Sequence, residues 1–241
     1  MAGFRDLVLF FAIYSFLGWT MESIFASINE RKIINRGFLT GYFCPIYGFG
    51  AVLIIKATQL VGNTFESRPT SLIINILLSI VLVTVLEYIT GFLLERIFNC
   101  KWWDYSQNAW NIQGYICLKY SLLWGLLTFL LVQVIHPVTE MGVYSIPGAA
   151  RYYLAAFLLL YFMADTAKSV VETLDLRKVI LEASNISANK YYEKIIQYKR
   201  LFLAFPRLLI LNAGMINRDI RSIFNERMDK IKVELKSRFL Q

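Results

Sequence analysis

The chain has 241 residues, 57% of them apolar and 15% aromatic, with a mean hydropathy of +0.51; soluble domains sit near roughly 45–50% apolar, so lipid is the natural solvent for the excess. The single histidine, His136, excludes a multi-histidine metal site within the chain, and three cysteines (Cys44, Cys100, Cys117) leave one unpaired in any disulfide scheme. Net charge is +8, concentrated from Lys168 to Gln241, where fifteen Lys or Arg stand against eight acids; no recognised nucleic-acid motif accompanies that charge, so it reads as attraction to anionic headgroups.

The first apolar stretch, Leu7–Ala26, lacks a following cleavage-type run of small residues and reads as a retained span rather than a signal peptide. Cys44–Leu60 is the second, opened by Pro45, which a first helical turn tolerates. Leu72–Leu94 is the third and longest; Leu118–Ile135 is the fourth, expected to end at His136-Pro137; Tyr152–Ser169 is the fifth. The fold class expected is all-α, a polytopic bundle of about five transmembrane helices over residues 1–171. Residues 172–241 then form a basic, amphipathic, helical cytoplasmic tail.

Orientation follows from the connecting segments. Arg31, Lys32 and Arg36 lie between spans one and two, Arg96 and Lys101 between three and four, and the tail after span five is basic. All three basic segments share the inside only if the N-terminus is outside and the C-terminus cytoplasmic, which demands an odd number of spans. Leu201–Ile216 is apolar but about 16 residues long and holds Pro206, Arg207 and Asn212. As a sixth span it would export seven basic residues beyond it, so it is read as a helix on the inner surface. Ile216, Ile220, Ile223, Ile231 and Leu235 then recur at nearly helical spacing, as an amphipathic helix against the membrane or a partner. This topology puts all three cysteines near the reducing face, as buried free thiols.

Ionisable groups inside spans are costly and mark functional sites by default. Glu22, Glu87 and Asp165 fall on three different spans, each about four to seven residues from the inner end. Tyr14, Gly18 and Glu22 share a helical stripe with Trp19 close by; Glu87, Gly91 and Glu95 form another; Tyr120, Trp124 and Thr128 stripe span four. Gly91 should admit a neighbouring helix. Structural readings compete: Glu22 or Glu87 could tie helices together as a neutral acid, and Asp165 has Lys168 one turn away as a partner. Arg36, Asp104 and Asn111 lie in the segments on the same side, where Trp102 and Trp103 suit headgroup anchoring.

The motifs resemble those of a family of bacterial membrane proteins catalogued as putative ABC transporter permeases of type IV, CmpB-like. They run in order: Tyr14-Ser15-Phe16-Leu17-Gly18-Trp19 with Glu22, Asn35-Arg36-Gly37-Phe38-Leu39, Cys44-Pro45-Ile46-Tyr47-Gly48, Leu86-Glu87-Tyr88 with Gly91 and Glu95. Trp102-Trp103-Asp104-Tyr105-Ser106, Asn111, Gly114, Cys117 and Trp124-Gly125 complete them, over roughly residues 7–135. Tyr42 stands where the family is expected to carry proline. The resemblance implies a permease in a bacterial inner membrane. No Walker-type Gly-Lys-Ser/Thr loop is present, so such a role implies a separate ATPase subunit.

Three classes of function fit these residues. As a permease, the chain would move a small solute or ion through a polar cavity open to the cytoplasm, with Glu22, Arg36, Glu87, Glu95, Asp104, Asn111, Trp19 and Trp124 as binding candidates. As a membrane enzyme, the same carboxylates with Asp104, Asn111 and Arg36 would act on a lipid, although no nucleophile–base pair or metal motif names a reaction. As an assembly or regulatory protein, it would recruit a partner through the tail. Transport is the leading expectation, with the bilayer as partner, no cofactor, no metal, no nucleic acid, and homo-oligomers allowed.

Overall fold

In a computed structural model of the chain, residues 3–64, 67–181, 197–205 and 208–210 are described. Five helices among them are long and apolar enough to cross a membrane: α1 (Phe4–Glu30), α2 (Pro45–Thr64), α3 (Arg68–Phe98), a fourth over Leu118–Ser145, and α6 (Gly148–Leu181). At 1.5 Å per residue, α1, α3 and α6, with 27, 31 and 34 residues, reach beyond the roughly 30 Å hydrocarbon core. Hydropathy alone stops them short because their last turns are charged. The α6 helix continues unbroken past Ser169 through Glu172, Asp175 and Arg177.

The fourth helix corrects an expectation. Rather than ending at His136-Pro137, it runs as α4 (Leu118–Leu130), one turn of π-helix (Leu131–Ile135) and α5 (His136–Ser145). Proline lacks an N–H, and its ring crowds the carbonyl four residues back, here Gln133. The wider π turn just before Pro137 absorbs that clash without breaking the helix.

The bundle is laid out as α6–α1–α2–α3–α4 in neighbouring pairs, with α5 crossing back to α1. Small residues set the close approaches. A side-chain carbon at Gly18 would overlap the Tyr47 ring, and one at Gly48 would overlap Ser15 and Phe11, so α1 and α2 meet at backbone distance. The main core joins Phe10, Tyr14, Ile54, Ile55, Val83, Leu131 and Val143 across four helices and the π turn. Outward faces of α3, α4 and α6 carry Leu77, Val81, Leu122, Leu126, Phe157 and Leu160, all exposed, as a lipid-facing surface requires.

Residues 31–44 differ most from the expected connecting loop. After α1 ends on Arg31 in the left-handed conformation (φ 51°), the chain doubles back along the same helix. Ile34 N–H reaches Ser27 Oγ at 3.0 Å, Arg36 N–H reaches Ser23 Oγ at 3.1 Å, and Cys44 N–H reaches the Ser15 carbonyl at 2.9 Å. From Glu30 back to Ser15 is about 22 Å of helix. The segment is thus wedged halfway down the bundle, and α2 starts there.

The described part of 201–216 also departs from the single surface helix expected. A short helix, α7 (Lys199–Ala204), is followed by a strand, β4 (Leu209–Ile210), antiparallel to β1 (Cys100–Lys101). Leu201, Ala204 and Leu208 are buried, and Leu201 and Leu208 join Phe98, Cys100, Trp102, Leu176 and Val179 in a core at the C-terminal ends of α3 and α6. The expected amphipathic helix at Ile216–Leu235 lies outside the described residues. Cys44, Cys100 and Cys117 are all free and buried.

Candidate functional site

The site is built at the end of the bundle where α1, α3 and α6 finish and α2 and α4 begin. The α3 helix ends on Asn99 in the left-handed conformation (φ 56°), which Asn tolerates well. The chain then makes β1 and a tight hairpin, β2 (Asn111–Ile112) paired with β3 (Ile116–Cys117), before entering α4. This loop returns Tyr105 alongside α3 to Glu87, well before the helix end at Phe98.

Glu87 is the centre. It is 5% exposed, and its carboxylate accepts the Trp124 indole N–H at 3.1 Å and the Tyr105 hydroxyl at 3.3 Å. Both donors are neutral. Burial first, then the neighbouring Glu87 and Tyr120, push the Tyr105 phenol well above its ordinary range, so it remains a donor. Tyr105 stacks on Tyr120 of α4, ring centroids 4.6 Å apart, and Trp124 packs against Tyr47 of α2 at 5.4 Å.

Glu22 stands on the other side of that aromatic pair. Its carboxylate accepts the Tyr47 hydroxyl at 2.6 Å and faces the Arg36 guanidinium at 3.3 Å. Arg36 comes from the folded-back segment, so the reason that segment enters the bundle is also the reason the two carboxylates are unlike. Glu22 has a cation beside it. Glu87 has only neutral hydrogen-bond donors among the described residues.

Of the expected site residues, Glu22, Arg36, Glu87 and Trp124 come together. Trp19 lies next to them, donating its indole N–H at 2.6 Å to Asn35, which in turn donates to the Thr40 carbonyl at 2.9 Å. Asp104 and Asn111 instead hold the α3–α4 loop in shape. Asp104 accepts the Ser106 hydroxyl and N–H and pairs with Lys101 at 3.3 Å; Asn111 donates to the carbonyls of Ser106 and Asn108. Burial pulls the Asp104 carboxyl up, but the Ser106 and Lys101 contacts together bring it below its usual value. Glu95 lies one turn of α3 beyond Gly91; burial first, then the Glu95 carboxylate, push the Tyr115 phenol up to about 12. Gly91 itself admits the Tyr115 and Trp103 rings rather than a helix.

Asp165 is not paired with Lys168. Its carboxylate accepts the backbone N–H groups of Thr40 (3.1 Å) and Gly41 (3.0 Å), with Ser169 joining at 3.0 Å. Arg200 grips the same segment from the other side, donating to the carbonyls of Gly37, Leu39 and Phe38 while pairing with Glu172 at 3.2 Å. Sequence reasoning missed Tyr47, Tyr105 and Arg200 as site-shaping residues. Tyr47 was legible, being one turn from Cys44-Pro45 at a helix start. Arg200 carried no signal, as one basic residue among fifteen in a basic stretch.

A family model described as putative ABC-transporter type IV matches residues 9–170. No curated protein matches the chain, and no solved structure does.

Proposed function

The chain belongs to the putative ABC-transporter type IV family, and from that premise we propose that it is a permease component that moves a small solute or ion through the Glu22–Glu87 site. The observation that carries the reading is Glu87: a carboxylate 5% exposed, on a membrane-spanning helix, held by neutral donors alone among the described residues. A carboxylate in that setting has a standing demand for a positive partner, which a passing solute can meet. The site opens toward the cytoplasm, with the N-terminus outside and the basic C-terminal region inside, in a bacterial inner membrane. The distribution of Arg31, Lys32, Arg36, Arg96 and Lys101 supports that direction. ATP hydrolysis, if it drives the movement, belongs to a separate chain, because this one has no phosphate-cradling Gly-Lys-Ser/Thr loop.

The test uses vesicles reconstituted with the full chain and loaded with a mixture of small cellular metabolites, with release followed by mass spectrometry. Wild type should deplete a definable class of solutes, and both Glu87→Gln and Glu22→Gln should slow that loss while still folding. Release no faster than from protein-free vesicles, with and without membrane extract and ATP, would end the permease reading.

A further inference from the structure

The chemistry around Glu87 selects among the solutes such a site could take. Three charged groups line it: Glu22, Glu87 and Arg36, two negative and one positive, so with both carboxylates ionised the site carries a net negative charge. An anion is disfavoured by that balance, since the single guanidinium is already committed to Glu22 at 3.3 Å.

A metal ion is disfavoured for a different reason. Metal ligands must offer lone pairs, and hard cations take six or more oxygens. The groups beside the two carboxylates present hydrogens instead: the Trp124 indole N–H, the Tyr105 hydroxyl and the Tyr47 hydroxyl all donate. No group of three or more His, Cys, Asp or Glu suited to a metal occurs among the described residues.

What remains abundant is aromatic surface. Tyr47 of α2, Tyr105 of the α3–α4 loop and Trp124 of α4 each bond the Glu22 or Glu87 carboxylate, Trp124 packs on Tyr47, and Tyr120 stacks behind Tyr105. Aromatic faces with a carboxylate are the recognition chemistry of organic ammonium groups, whose diffuse charge is cheaply dehydrated. A second observation lies one turn along α4. Thr128 is 1% exposed and its hydroxyl has no partner among the described residues, on the same helical stripe as Tyr120 and Trp124.

We propose that the Glu87 site binds an organic ammonium ion, held by the Glu87 carboxylate against the Trp124 and Tyr47 rings. This rests on the permease reading for its place in transport, but binding stands on its own. When the ammonium group arrives, Glu87 exchanges neutral donors for a charge, and Trp124 changes from hydrogen-bond donor to cation-facing ring.

Equilibrium dialysis of radiolabelled tetramethylammonium against the full chain in nanodiscs tests this, at constant ionic strength. Saturable binding is expected, weakened about tenfold or more by Glu87→Gln and by Trp124→Leu. Trp124→Phe keeps a ring and should retain most of the affinity even if the leucine variant folds poorly. Trp110→Phe, at a position 82% exposed, should bind as wild type. Absence of saturable binding, equal displacement by potassium, or indifference to both the Glu87 and Trp124 changes would each overturn the proposal. Vesicle flux separates the two readings: tetramethylammonium bound but not moved removes the permease and keeps the site. Another solute class moved without tetramethylammonium binding does the reverse.

Discussion

Asp165 of α6 holds the backbone N–H of Gly41 at 3.0 Å, a contact between residues 124 positions apart that fixes the segment carrying Arg36. A charged acceptor on part-buried amides is worth about 2 kcal/mol, and its removal leaves the Gly41 N–H without its acceptor while Thr40 keeps Ser169. Asp165→Ala should therefore lower thermal stability in detergent by about that much. Asp165→Asn, which keeps one acceptor oxygen, should recover part of it. Equal melting of all three proteins would show that the contact contributes nothing.

Gly18 and Tyr47 give a second expectation. A methyl group at Gly18 would overlap the Tyr47 ring, whose hydroxyl binds Glu22 at 2.6 Å. Overpacking of this kind typically costs about 1–3 kcal/mol. Gly18→Ala should destabilise the protein by that order, and by the same displacement should slow any flux that depends on Glu22. Gly142, with open space around it, is the control: Gly142→Ala should leave stability unchanged or improve it.

The grip of Arg200 can be read through a native thiol. Cys100 lies on β1, which pairs with β4 just after α7, and burial, eased slightly by Arg177, raises its thiol to about 11. At pH 8 only about one thiol in a thousand is then ionised, and alkylation is slow. With Cys44 and Cys117 replaced by serine, Arg200→Gln should loosen this region and speed maleimide modification of Cys100 about tenfold or more, as the thiol returns toward its ordinary value. Unchanged modification would show that Arg200 does not hold the region packed on Cys100.

Asp104 predicts a pH signature. Its carboxyl is held below the usual value by the contacts with Ser106 and Lys101 that outweigh burial. A depressed folded-state value means that its stabilisation is fully present above the unfolded value of about 3.9 and is lost as pH falls through the folded value. The melting-temperature gap between wild type and Asp104→Asn should be constant from neutral pH to about pH 5 and close below about pH 4. A gap that closes between pH 7 and 5 would contradict the assignment.

How far these features were readable in advance depends on their range. The five helices were legible because each apolar stretch is local, and so were Glu22 and Glu87, which violate the apolar pattern in place. The depth of residues 31–44 was not. Polar Ser15, Ser23, Ser27 and Asn35 look unremarkable singly, and their meaning depends on Asp165 and Arg200 far along the chain. Pro137 reads as the end of span four because a proline is a strong local stop signal, whereas its tolerance rests on a π turn that no periodicity announces. Asp104 and Asn111 share the site's side by their place in the chain, and their hydrogen bonds to Ser106 and Asn108 within the α3–α4 loop are set by turns that are equally silent in the residue pattern.

The folded-back segment also dictates an order of biogenesis. Residues 31–44 leave the ribosome long before α6, yet Thr40 finds its partner 125 residues later and Gly37 finds Arg200 after 163. Until then its amides and carbonyls have no protein acceptor or donor from those elements and must stay hydrated. The α1–α2 pair therefore waits in an unfinished state while translation proceeds. A chain stopped after α5 would carry an unsettled polar stretch, and completion of α6 and of α7 supplies the Asp165 and Arg200 partners that settle it.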